Sequence, residues 1–131
     1  MNVRAVAKSY FEAWEARDLD AIMALHSPDT VFHSHTGQQP LTGAASVRIA
    51  LAQLLQTTPD ISFKAWDLRF GNDFWVAQMI VSGTRRQTDG PDIAFSSDST
   101  DVVLVKNGLV TRKDSYVDYV QLMSQFGRAA A

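Results

Sequence analysis

Along the first 17 residues apolar side chains recur at Val3, Val6, Tyr10, Phe11, Ala13 and Trp14, the spacing of one broad helical face. Tyr10 and Trp14 are four apart and so stack on that face. Asp18 is placed to cap a second, short helix over 19–25, with Leu19, Ile22 and Leu25 inward. His26 follows at the end of that helix, where an imidazolium is a favourable cation. Pro28-Asp29 predicts a turn, and 30–35 a strand with Val31, His33 and His35 on one face and Phe32 on the other. After a loop over 36–41, Thr42 caps a third helix over 43–56, whose stripe is Val47, Leu51, Leu54 and Leu55.

From Ile61 the period changes to that of strands. Ile61, Phe63 and Ala65 alternate, then Trp66, Leu68 and Phe70 alternate out of phase. A slip of one residue predicts a β-bulge that bends the strand. Residues 71–73 turn the chain. The stretch 74–81 is apolar on both faces, as in a strand covered on both sides. A turn over 88–91 leads to a long strand over 93–106. Residues 118–126 read as a short closing helix or tail, and 127–131 as a frayed end.

Between 99 and 119 lies a hairpin, with Asn107-Gly108 suited to a type I′ turn. A two-residue loop pairs Lys106 with Leu109, Val105 with Val110, Val103 with Arg112 and Asp101 with Asp114, all but the first pair on one face. Two facing carboxylates are destabilising, which suggests a site. A three-residue loop with a G1 bulge would instead oppose Asp101 to Lys113 and turn Asp114 to the other face.

Helix, helix, strand, helix and then four strands make a single α+β domain over 1–131, with three N-terminal helices packed on a curved, mostly antiparallel sheet. At 131 residues the chain supports one core. A net charge of −2 with scattered basic residues predicts no nucleic-acid partner. No apolar run reaches the ~20 residues that span a bilayer, and none is expected to contact a membrane. The charged N-terminal helix does not resemble a signal peptide, and the absence of cysteine suits a cytoplasmic protein. Neither a nucleophilic triad nor a phosphate loop nor a dinucleotide fingerprint occurs, so no cofactor is expected.

The layout resembles the nuclear-transport-factor-2-like superfamily, a cone-shaped α+β fold, and within it the SnoaL-like polyketide cyclases and ketosteroid isomerases. The resemblance is carried by ARDLDAIMALHSPDTVFH in the first half and VVLVKNGLVTRKDSYVD in the second. It implies an oxyanion role for Tyr10 and for Asp101 as a protonated acid. His33 falls where that family keeps its general-base aspartate, a departure from the pattern. Asp114 resembles the acid/base aspartate of the related limonene epoxide hydrolases, whose remaining polar partners are missing at 78–82.

The expected catalytic set is therefore His33, Asp101, Tyr10 and Asp114. His33 moves a proton near neutral pH, and Tyr10 and Asp101 stabilise negative charge on a substrate oxygen. Desolvation and a facing Asp114 would raise the pKa of Asp101. Trp14, His35, Phe63, Trp66, Trp75, Val103, Arg112 and Tyr116 are the expected pocket residues, with Arg112 orienting Asp114. No metal is assigned, although a His-x-His pair plus an aspartate has suitable ligand types. The expected activity is cofactor-free isomerisation, dehydration or aldol-type cyclisation of an apolar carbonyl- or hydroxyl-bearing small molecule, polyketide- or steroid-like. The alternative is a non-catalytic binding or dimerisation domain, and with either a homodimer through the outer sheet face is expected.

Overall fold

The computed structural model describes residues 2–130, without the side chains of residues 128–130. Helix α1 (Val3–Glu15) is capped by Asn2, whose side chain accepts from the Ala5 amide, and α2 (Leu19–Ala24) by Asp18, which accepts from the Ala21 amide. Next come β1 (His26–Ser34), β2 (Leu41–Thr42) and α3 (Ala44–Thr57). Then β3 (Ser62–Phe70), β4 (Phe74–Arg85), β5 (Ile93–Lys106) and β6 (Leu109–Val117) form a meander, closed by α4 (Tyr119–Ala130). The sheet order is β2-β1-β6-β5-β4-β3, antiparallel except for the parallel β1–β6 pair. The helices pack on this curved, open sheet and the result is a cone. Its core joins Val6, Tyr10 and Trp14 of α1 to Ile22, Leu51, Trp75, Met79 and Val103.

Several local expectations change. Tyr10 and Trp14 do share the buried face, but meet edge to face with centroids 6.4 Å apart. Pro28-Asp29 is no turn between elements: it lies in an irregularity within β1, where pairing with β6 shifts between His26 and Val31. Thr42 does not cap α3. It pairs with Val31, and Gly43, at φ 95°, takes the cap position. The backbone of α4 continues past Phe126 to Ala130, over part of the expected frayed end, and Ala131 lies outside the described residues.

The β3 bulge lies where the phase slip placed it, between Ala65 and Asp67. The hairpin register is neither of those expected. Lys106 pairs with Leu109 and Val105 with Val110 around a two-residue loop, with Asn107 at φ 53° and Gly108 at φ 75°. A bulge at Thr111 then slips the register, so Leu104 faces Arg112, Val103 faces Lys113 and Asp101 faces Ser115. One inserted residue exchanges the two faces of the strand. Lys113, Ser115 and Val117 turn into the cone, and Arg112, Asp114 and Tyr116 lie on the outer face.

Candidate functional site

A cavity of about 320 Å³ occupies the cone, bounded among others by Trp14, Phe32, Leu54, Phe63, Asp101 and Lys113. Its walls are mostly apolar because β1, β3, β4 and β5 present every second residue inward. Leu122 and Phe126 of α4 line it as well, and Gln121 and Gln125 fasten that helix to β5 by hydrogen bonds to the backbone of Asp98 and Ser96.

Beside the exposed Arg85, two buried charges stand in this wall. Asp101 is 7% exposed and Lys113 5%, and Lys113 Nζ lies 3.7 Å from Asp101 Oδ2. Lys113 also donates to the Tyr10 hydroxyl at 3.3 Å and lies 4.7 Å from the centre of the Trp14 ring. Desolvation is the largest influence on Lys113 and opposes its charge. The Tyr10 oxygen and the Asp101 carboxylate together outweigh it, so its pKa lies above the ordinary lysine value.

Behind Tyr10 the network continues into the core. Its hydroxyl is 3.0 Å from His26 Nε2, and His26 Nδ1 is 2.9 Å from Thr30 Oγ1. Burial, reinforced by the Lys113 charge, lowers the His26 pKa to about 4. Lys113 can only donate to the Tyr10 oxygen, and the tautomer that gives the Tyr10 proton an acceptor has Tyr10 donating to a bare Nε2 and Nδ1–H donating to Thr30. His26 is thus not a helix-terminal cation. It opens β1, is buried, and is neutral at pH 7. Trp14 Nε1 is the one buried side-chain polar atom without a partner among the described residues.

The expected catalytic set does not converge. Asp101 faces the cavity, and Tyr10 lies just behind it with its proton committed to His26. His33 and Asp114 are opposite each other on the outer side of the sheet. Asp101 and Asp114 do not face each other: Asp101 pairs with Ser115, and its charged neighbour is the Lys113 ammonium. Asp114 instead accepts from Arg112 Nε at 2.8 Å on Oδ2 and from Arg112 Nη2 at 3.0 Å on Oδ1, and those bonds, ahead of one from His35, hold its carboxyl below the usual range.

Of the expected pocket residues, Trp14 and Phe63 line the cavity. Trp75 and Val103 are packed in the core beneath it, each 1% exposed. Trp66 is 64% exposed at the bulge and lines nothing. His35, Arg112 and Tyr116 are on the outer face, with His35 stacked between His33 and Tyr116. Sequence reasoning missed Lys113 as a wall residue and His26 as Tyr10's partner. Lys113 was within reach of it as the alternative partner of Asp101; for His26, 16 residues from Tyr10, no local signal exists.

The architecture is thus an α+β cone around a mostly apolar hollow, with a buried ion pair in its wall. This chain belongs to the SnoaL-like domain family, whose model matches residues 7–113. The fold is shared with a protein described as a SnoaL-like polyketide cyclase from Shewanella putrefaciens, at TM-score 0.85 and 16% identity over 95% of this chain and 96% of that one. A counterpart from Shewanella denitrificans aligns at TM-score 0.86 and 14% identity, with the same coverage. A ketosteroid isomerase-like fold from Catenulispora acidiphila, in complex with trimethylamine, aligns at 0.79 and 14%, over 93% of this chain and 92% of that one. No curated protein matches the chain.

Proposed function

We propose that the cone binds a small, largely apolar molecule bearing a carbonyl or hydroxyl group, and that Asp101 and Lys113 move a proton on it. The observation that carries this reading is the ion pair in the cavity wall. Two desolvated charges in a cavity wall are costly, and such groups concentrate at functional sites. The Asp101 carboxylate takes a proton from the carbon next to a carbonyl, and the electron pair moves onto the carbonyl oxygen. The Lys113 ammonium stabilises that oxyanion in a site of low polarity. Asp101 then returns the proton to another carbon for isomerisation, or to a departing hydroxyl for dehydration. In an aldol-type closure the enolate carbon attacks a second carbonyl, the new alkoxide is protonated by Lys113, and Lys113 recovers its proton from Asp101, 3.7 Å away.

A volume near 320 Å³ is at the small end for ligand pockets and suits a molecule of one or two rings. A groove of about 480 Å³ shares Phe32, Ser34, Leu51, Leu54 and Thr57 with the cavity and adds the amides of Gln38, Gln39 and Gln53. A polar substituent would extend there. The SnoaL-like polyketide cyclases among the structural neighbours support an oxygenated ring substrate.

The test uses 2-tetralone, a bicyclic ketone, in D2O. Wild-type protein should speed deuterium uptake at its α-carbon, followed by NMR, and Asp101→Asn should reduce that rate by about 100-fold or more. Leu54→Trp, which fills the cavity without touching either charge, should abolish it too. A non-catalytic binding domain is the second reading, favoured by the fact that Tyr10 is already satisfied by His26 and Lys113. Binding of the ketone with no exchange above buffer would establish it. We also propose that two chains associate through the outer sheet face, where Phe74 opposes Leu104 and both are exposed.

A further inference from the structure

On the opposite side of the sheet from the cavity, three metal-ligating side chains meet. Parallel pairing sets His33 directly across from Asp114. His35, two residues on, is held to β6 by its amide, which donates to the Ser115 carbonyl at 2.9 Å. One ligand atom from each of His33, His35 and Asp114 lies within 4.8 Å of the other two.

The hydrogen bonds leave one position that a cation would fill. His33 Nε2 is 2.9 Å from the Gln38 carbonyl oxygen, which can only accept, so Nε2 carries a hydrogen. In the neutral ring Nδ1 then bears a bare lone pair, and it stands 3.9 Å from Asp114 Oδ1. Nothing bonds these two acceptors to each other. His35 Nε2 approaches the same oxygen at 2.8 Å, so two imidazole nitrogens flank one carboxylate oxygen, which also accepts from Arg112 at 3.0 Å.

We propose that His33 Nδ1, His35 Nε2 and Asp114 Oδ1 bind a first-row transition-metal dication such as Zn²⁺. Bond lengths of about 2.0–2.1 Å require tetrahedral ligands roughly 3.3 Å apart. The two separations from Oδ1, 2.8 and 3.9 Å, bracket that value. Two nitrogens and one oxygen favour zinc, cobalt, nickel or ferrous iron over the oxygen-seeking calcium and magnesium. Supporting contacts are present: the Gln38 carbonyl fixes the His33 tautomer, Tyr116 stacks on His35 with centroids 4.0 Å apart, and Arg112 anchors Asp114 Oδ2. On binding, the His35 proton moves from Nε2 to Nδ1, so the ring stays neutral. Arg112 is the opposing charge among the described neighbours: its Nε donates to Oδ2 at 2.8 Å and its second arm to Oδ1 at 3.0 Å, so a metal on Oδ1 displaces the second bond and keeps the first.

Untagged full-length protein is titrated with Zn²⁺ by calorimetry at pH 7.5 and with Co²⁺ by visible absorption. One equivalent of each is expected, with perturbation of the His33 and His35 imidazole resonances and not that of His26. His33→Ala/His35→Ala should weaken Zn²⁺ binding at least 100-fold. Circular dichroism establishes that the variants are folded. Should the double variant fail to fold, Asp114→Asn and the wild-type imidazole resonances supply the same reading. Absence of Zn²⁺ binding, binding that persists unchanged in a folded variant, or perturbation of His26 alone would overturn the proposal. Because the site is across the sheet from the cavity, ketone exchange and metal binding stand or fall separately.

Discussion

Lys113 Nζ stands 3.7 Å from Asp101 Oδ2, although the two residues are not direct partners in the sheet. Asp101 faces Ser115 and Val103 faces Lys113, so the contact is a diagonal one across adjacent pairs. It exists only because the bulge at Thr111 turns Lys113 inward.

Breaking such a pair on one side leaves a buried charge without compensation. Lys113→Met should destabilise the fold by about 3–5 kcal/mol, and Asp101→Leu/Lys113→Met should recover most of that loss. Urea unfolding of both variants measures the difference. Equal stability of wild type and Lys113→Met would show the pair to be solvated rather than buried.

His26 gives the fold an acid sensitivity. Its pKa is near 6.5 in the unfolded chain and about 4 in the folded one. The unfolded state therefore binds more protons between those values, and stability falls as pH drops from 6.5 towards 4. The loss is of order 3 kcal/mol when complete. In His26→Gln that component should vanish, which thermal melts at pH 4.5 and 7 would reveal as a flatter profile.

Tyr10 separates two accounts of the cavity. If Lys113 and Asp101 carry the chemistry, Tyr10→Phe should retain α-proton exchange within about 10-fold, whereas loss of a true oxyanion donor costs about 100- to 1000-fold. The same substitution should cost roughly 1–3 kcal/mol of stability, because His26 Nε2 loses its donor in the core.

The outer sheet face makes a prediction about association. Val76 faces Val102 beside the Phe74–Leu104 pair, and Ile80 is exposed on the same side. An apolar strip of this kind favours a two-fold partner. Light scattering should give a dimer for wild type and a monomer for Phe74→Lys/Leu104→Glu.

The sequence by itself determined the three N-terminal helices, the cap at Asp18, the bend at Ala65 and the two-residue turn at Asn107-Gly108. These rest on interactions within a few residues, and alternation or helical spacing records them directly. The α+β class followed from their order, and the cone from the family resemblance those segments carry.

Only the tertiary structure decided which side chains meet. Thr111 carries no mark of a bulge, yet its insertion moves Asp114 and Arg112 out of the cone and Lys113 into it. The parallel β1–β6 pair, joined through most of the chain, sends His33 outward and brings His26 beneath Tyr10. Side-chain direction in a strand reverses with every residue, so one long-range register decides every face, and no local pattern specifies that register.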